Sequence, residues 1–160
     1  MLITKICGNI YHDNNLQYEQ YAIDYIDLEW YELHKRVIRK TSLANVEFGI
    51  QLPANTKFLQ DGDILLILDK TVFVVRVKQC ECIAITPKTN YELAKICYEI
   101  GNRHAPLFID EDNDQCLLLP KDKPIQLMLE KLGFNVAILN ARLTKPLNSF
   151  TAKDTHGHSH

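Results

Sequence analysis

Two segments with helical periodicity alternate with four short apolar segments in the second half of the chain, and this order restricts its fold. Thr89 and Glu92 have the spacing of a capping box, which predicts a helix over residues 89–101. Asp122 is a suitable N-cap for a second helix, which would end near Gly133. The apolar segments lie at residues 82–86, 105–110, 115–119 and 135–139. The order strand–helix–strand–strand–helix–strand predicts a ferredoxin-like α+β domain.

The first half of the chain carries the alternation of apolar and polar side chains that is typical of strands. Residues 2–10 predict a first strand, and residues 46–52 show the alternation most clearly. Residues 64–68 and 72–77 predict two strands joined as a hairpin, and the sequence Asp61-Gly62-Asp63 before them is a turn signal. These features predict a β-rich domain, built as a small sandwich or a small barrel.

The chain has 160 residues, which is enough for two small domains. Because composition changes near Lys78 and Gln79, we expect a β-rich domain of residues 1–78 and a ferredoxin-like domain of residues 79–140. Residues 141–160 lose the periodicity of helices and strands, so we expect a flexible C-terminal tail.

Charge and apolar content argue against several classes of partner. The net charge is −2 and the pI is about 6.3, which gives no electrostatic footprint for nucleic acid or for an anionic membrane. No apolar run approaches the ~20 residues that span a bilayer, and the first residues turn polar too early for a signal peptide. A ferredoxin-like sheet that binds RNA would also need exposed aromatic side chains and a basic cluster. We therefore expect a cytoplasmic protein with reduced cysteines.

The first predicted helix ends in the sequence Gly101-Asn102-Arg103-His104, and His104 is the first candidate metal ligand. Gly101 is a residue at which helices commonly end, and the negative end of the helix dipole favours a cation nearby. A single histidine in a loop is more often a solvated or capping residue. Its assignment as a ligand therefore depends on further donors elsewhere in the chain.

Three histidines at alternate positions close the sequence, namely His156, His158 and His160. Imidazole suits nickel, copper and zinc, and a flexible segment needs no fold to wrap an ion. The alternative is a disordered end or a cloning remnant.

The remaining candidates have weaker patterns. Cys80 and Cys82 would place two sulfurs on one face of a strand, which suits a soft metal, but the second pair that a zinc site needs is missing. An enzyme with a thiol nucleophile would need Cys97 or Cys116 beside His104. The sequence contains no phosphate-binding loop, no nucleophile elbow and no zincin helix. We therefore expect a protein that is not an enzyme.

The Gly101–His104 tetrad, the ferredoxin-like half and the histidine-ended tail together resemble the UreE family of urease accessory proteins. The resemblance covers nearly the whole chain, and residues 28–36 and the Asp61–Asp63 turn also look like the family's N-terminal domain. It implies a homodimeric nickel metallochaperone that delivers Ni²⁺ for assembly of the urease metallocentre. The implied partners are the urease accessory GTPase and the urease apoprotein complex.

The resemblance also implies roles for the candidate ligands. The tetrad histidine of the family lies at the dimer interface and matches His104, so two copies would share one ion. The C-terminal histidines would supply further ligands and match His156, His158 and His160 only loosely. The auxiliary histidines that some members carry before the second helix are missing, since residues 120–123 read Pro-Lys-Asp-Lys. The alternative function is a general nickel or zinc buffer, and Zn²⁺ or Cu²⁺ would suit the same imidazoles.

Overall fold

The computed structural model describes residues 1–12 and 18–147. The chain divides into two compact units with the boundary between Lys78 and Gln79. No helix in the described part of the chain is long and apolar enough to cross a membrane.

Among its described residues, the first unit has short strands and the 3-10 helix Trp30–His34. Its described strands are β1 (Leu2–Ile3), β2 (Gly8–Asn9), β3 (Ala22–Leu28), β4 (Val37–Thr41), β5 (Glu47–Gln51), β6 (Asp63–Leu68) and β7 (Thr71–Val77). They form one sheet in the order β1-β5-β4 and a second in the order β2-β6-β7-β3. The β-rich N-terminal domain expected from the sequence is therefore present, in the sandwich form.

Apolar side chains from both sheets meet in one core. Ile38, Phe48 and Ile50 of the first sheet pack in the same buried cluster as Ile26 and Phe73 of the second. The rings of Phe48 and Phe73 lie 5.1 Å apart between centroids. Burial of this apolar area is the main interaction that holds the two sheets together.

The second unit has the predicted strand and helix order. It contains β8 (Gln79–Ile85), α1 (Asn90–Asn102), β9 (Phe108–Ile109), β10 (Leu117–Pro120), α2 (Lys123–Lys131), β11 (Val136–Arg142) and β12 (Lys145–Pro146). The sheet order is β11-β8-β10-β9-β12, and every pairing is antiparallel. The first four strands in that order have the ferredoxin-like arrangement, so this prediction is confirmed.

Both helices of the second unit cover the same face of the sheet. Ile96 and Ile100 of α1 and Leu129 of α2 are fully buried, and they pack against Ile83 and Leu119 of the central strands. Strand residues two apart share a face, so this arrangement uses one face of each central strand.

The expected tail does not begin at residue 141. Strand β11 continues to Arg142, Leu143 is fully buried, and β12 pairs with β9 at the sheet edge. The guanidinium of Arg142 donates to Glu111 Oε1 from both Nε and Nη2, which fixes the segment. The backbone N–H of Leu147 also donates to the carbonyl of Leu107 at 2.8 Å, so the prediction of a tail was wrong for residues 141–147. The rest of that prediction, residues 148–160 with the three closing histidines, lies outside the described residues.

Candidate metal site

Helix α1 begins as the sequence predicts but with a different partner for its glutamate. The hydroxyl of Thr89 accepts a hydrogen bond of 3.1 Å from the backbone N–H of Glu92. The carboxylate of Glu92 accepts a hydrogen bond of 2.7 Å from the backbone N–H of Lys88, one residue before the cap. The first bond satisfies a donor that a helix start leaves unpaired, and the second ties the residue before the cap to the first turn, so the helix has a defined beginning.

The same helix ends in a Schellman motif that positions His104. The backbone N–H of His104 donates to the carbonyl of Gly101 at 3.0 Å, and the N–H of Ala105 donates to Ile100 at 3.4 Å. His104 itself has a φ of 51°, which is the left-handed conformation. Ala105 and Ile100 also belong to the same apolar cluster, as is usual for this motif.

A histidine is an unusual residue for the left-handed position of a Schellman motif. Glycine is the common choice there because a side chain in this conformation costs about 1–2 kcal/mol. Backbone strain of this kind occurs often at functional sites. The His104 imidazole is therefore kept at a position where folding alone favours glycine.

Arg103 stabilises the end of the helix beside His104. Its Nη1 lies 3.0 Å from the backbone oxygen of Glu99 and 3.0 Å from Glu99 Oε2. The guanidinium thus binds one of the carbonyls that a helix end leaves unpaired. This contact orients Arg103 along the helix, and it supports a role in shaping the turn.

His104 is exposed to solvent in a single chain. The described residues contain no group of three or more His, Cys, Asp or Glu side chains that could hold a metal ion. One imidazole at the negative end of a helix attracts a cation but is a poor site by itself. A site with three or more protein ligands at His104 therefore needs donors other than the described residues of one chain.

The exposed face of α1 next to His104 carries small and aromatic side chains. Tyr91 is 74% exposed and Tyr98 is 68% exposed, and Ala94 and Gly101 are exposed between and after them. A methyl group built on Gly101 meets no atom within 4 Å. Nothing in the described chain therefore requires a glycine here, although glycine in a helix costs about 0.5–1 kcal/mol relative to alanine.

Sequence reasoning missed this stripe because it followed the buried side of the helix. Tyr91, Ala94, Tyr98 and Gly101 follow one another at steps of three or four residues, which is the spacing of one helix face. Leu93, three residues before the buried Ile96, is exposed as well. The repeat of tyrosine after seven residues was the signal that could have revealed this second face.

Comparison with known proteins shows the family. Residues 3–78 match the family described as the UreE urease accessory protein, N-terminal domain. Residues 80–160 match the family described as the UreE urease accessory protein, C-terminal domain. The chain belongs to the UreE family.

Individual relatives agree with this membership over most or all of the chain. The urease accessory protein UreE of Acetivibrio thermocellus is 40% identical over 160 residues, which is 100% of both chains. That of Flavobacterium johnsoniae is 33% identical over 99% of this chain and 92% of its own. That of Helicobacter pylori strain G27 is 38% identical over 89% of this chain and 82% of its own. The UreE-family chain described here thus has a role as a urease accessory protein.

Two further histidines lie in the first unit. His12 is exposed in the first unit. His34 is half-buried, its ring meets Phe58 edge-on at 5.2 Å, and burial lowers its pKa. A lowered pKa at a packed aromatic contact is the behaviour of a structural histidine.

The thiols that a nucleophilic mechanism would use are buried or half-buried. Cys116 is buried and Cys97 packs against the apolar core, and burial raises the pKa of both. A raised pKa disfavours the reactive thiolate. No hydrogen bond joins either thiol to His104 within the described residues.

Proposed function

We propose that this protein is a homodimeric nickel metallochaperone that carries Ni²⁺ to the urease metallocentre. The observation that carries the proposal is the exposed, left-handed His104 at the end of a helix whose neighbouring face is apolar. Membership of the UreE family supports delivery to urease rather than to another nickel protein. We infer that the protein acts in the cytoplasm and catalyses no reaction.

A second copy of the chain completes the site. In a dimer with a twofold axis, each subunit contributes the same ligands to a site on the axis. Two His104 imidazoles, one from each copy, can therefore bind one ion. The exposed stripe of Tyr91, Ala94, Tyr98 and Gly101 lies on the same helix and leads to His104. Because a bare helix face of this kind gains by leaving water, we propose that it packs on the partner's α1.

Gly101 fits this arrangement better than any other residue would. It lies next to the turn that holds His104, and the space above it is open in a single chain. A glycine on a helix face lets another backbone approach closely. We propose that the partner helix occupies this space, which would set the distance between the two imidazoles.

The tail histidines add ligands of the same chemical type. We propose that His156, His158 and His160 contribute to the shell around the shared ion. Imidazole binds nickel well but exchanges it more readily than a closed thiolate cage would. A site of this kind suits a carrier that hands its cargo to the urease accessory GTPase and the urease apoprotein complex.

The competing function is a general nickel or zinc buffer, which would use the same imidazoles. Copper binds such ligands more tightly than nickel, and zinc competes as well, so handover to a partner must supply the selectivity. Urease activity in nickel-limited cells that lack the gene separates the two functions. We expect the wild-type gene to restore activity and His104→Ala to fail, while His12→Ala restores it.

If cells without the gene keep full urease activity at low nickel, the dedicated role is refuted and the buffer is favoured. If His104→Ala restores activity as well as the wild type does, the tetrad histidine is not the carrier ligand. Protein levels measured in the same cells show that the variants accumulate equally.

A further inference from the structure

Strand β11 forms one edge of the sheet in the second unit. It pairs with β8 on one side, and no described strand pairs with its other side. The strand is Val136–Arg142, and its central side chains are exposed, with Ile138 at 40% and Leu139 at 38%. A row of backbone donors and acceptors therefore lies open beside apolar side chains.

The hydrogen bonds of β8 decide which backbone groups of β11 face outward. The N–H of Lys121 donates to the carbonyl of Glu81 at 3.0 Å, so the backbone groups of Glu81 face β10. Backbone groups alternate in direction along a strand, so the next residue of β8 faces β11 and its partner there, Leu139. Ile138 and Asn140 therefore direct their N–H and C=O groups away from the sheet, where no backbone hydrogen bond of the described chain reaches them.

Charge and length distinguish β11 from the other sheet edges of the described chain. The edge strands β1, β2 and β12 have two residues each. Edge strand β3 carries Asp24 and Asp27, and edge strand β4 carries Arg39 and Lys40. Short edges and charged side chains are common means by which proteins prevent edge-to-edge pairing. β11 has neither protection, because residues 136–141 contain no charged side chain.

A second copy of β11 fits this edge. In an antiparallel pair with a twofold axis at Ile138, the two Ile138 residues lie opposite each other and exchange hydrogen bonds. In this register residues 136–140 of the two copies face one another, so the contact contains no charge and removes apolar side chains from water. Arg142 lies beyond the paired segment and keeps its hydrogen bonds to Glu111.

We propose that the free edge of β11 pairs with the same edge of a second copy, so that two sheets become one continuous sheet. The dimer proposed above uses the exposed face of α1, whereas this contact uses the sheet edge, so one chain can make both. The pairing joins dimers into larger assemblies and requires no nickel. Because the paired segment is short and small interfaces are commonly transient, the association should depend on protein concentration.

Sedimentation velocity of the full-length protein without metal, over a series of concentrations, tests this pairing. We expect the wild type to form assemblies larger than the dimer as its concentration rises. Ile138→Lys places two like charges opposite each other, so it should weaken this association by about tenfold or more. Asn140→Pro removes an N–H that points away from β8, so it should weaken the association while the pairing with β8 is kept.

The matched control is Val37→Lys, which adds the same charge at an exposed position of the edge strand β4. It should associate as the wild type does. Circular dichroism establishes that each variant is folded.

A mixture of two variants identifies the partner as a second copy of this edge. Ile138→Glu should fail to associate by itself, as Ile138→Lys does, but an equal mixture of the two should regain the assemblies because opposite charges then meet. If Ile138→Lys converts dimers into single chains, β11 pairing forms the dimer itself and the α1 interface of the proposed function fails. If the wild type never exceeds the dimer and Ile138→Lys keeps that dimer, or if the two variants stay apart when mixed, the proposal is overturned.

Discussion

The backbone N–H of His104 donates a 3.0 Å hydrogen bond to the carbonyl of Gly101, and this bond belongs to the turn that projects the imidazole from the end of α1. The backbone contacts that define the turn do not involve the side chain of His104. The identity of the side chain at position 104 is therefore free to serve another purpose, and it has a conformational cost that glycine would avoid.

Replacing His104 by glycine should separate stability from metal binding. Because φ at this position is 51°, His104→Gly should raise the free energy of unfolding by about 1 kcal/mol relative to His104→Ala, which keeps a β-carbon. Both variants should lose the tightest nickel-binding event. Urea unfolding at equal protein concentration and without metal gives the comparison. Equal stability of the glycine and alanine variants would refute strain at this turn.

A methyl group at Gly101 should weaken the dimer while leaving the single chain intact. The added carbon meets nothing within its own described chain, but it would enter the space that we assign to the partner helix. Overpacking typically costs about 1–3 kcal/mol, so the dimer dissociation constant should rise by about fivefold to 150-fold. Sedimentation equilibrium measures it. Gln126→Ala on α2 is the matched control, and a dimer unchanged by Gly101→Ala would contradict the proposed interface.

The last residue of the Asp61–Asp63 turn, Asp63, is fully buried. Its Oδ2 accepts a hydrogen bond of 2.8 Å from the backbone N–H of Gln60, and its Oδ1 accepts one of 3.0 Å from Asn9 Nδ2. Burial raises the pKa of Asp63 in spite of these bonds and of Lys57 nearby. The folded state therefore holds this proton more tightly than the unfolded state does.

The sign of the pH effect follows from linkage. The pKa of Asp63 is higher in the folded state than in the unfolded state, where it is about 3.9. The free energy of unfolding therefore falls as the pH rises from the unfolded pKa to the folded pKa. Asp63→Asn removes this titration and one strong acceptor, so it should be less stable than the wild type by about 1–3 kcal/mol. Its deficit should be larger near pH 4 than near pH 7 in urea unfolding. A deficit that grows as pH rises would show that the pKa of Asp63 is lowered instead.

Local signals were sufficient to predict the second unit. The caps at Thr89 and Asp122 and the apolar spacing of each helix act within a few residues, so the helices and the order of elements could be inferred. Two capped helices between four strands leave few arrangements, and the ferredoxin-like one was correct.

Contacts between distant residues account for what was missed. Residues 2–10 were expected as one strand, but β1 pairs with β5 and β2 pairs with β6 in a different sheet. The ion pair of Arg142 with Glu111 joins residues 31 positions apart and fixes a segment that has no periodicity of its own. Pairings of this kind depend on the completed fold, so a local pattern does not contain them.

The candidate site was predictable only in part for a related reason. His104 could be identified because the tetrad is contiguous and follows a recognisable helix end. Its left-handed conformation and the open space over Gly101 needed coordinates. The positions of His156, His158 and His160 relative to it stay predictions.

The most direct test of the shared site is calorimetric titration of Ni²⁺ with light scattering to follow the dimer. The proteins are the wild type, His104→Ala and a truncation that ends at Thr155. We predict that His104→Ala removes the tightest event, at about one ion per two chains, while truncation removes only weaker events. If His104→Ala binds nickel as the wild type does and truncation abolishes binding, the metal belongs to the tail and the central claim fails.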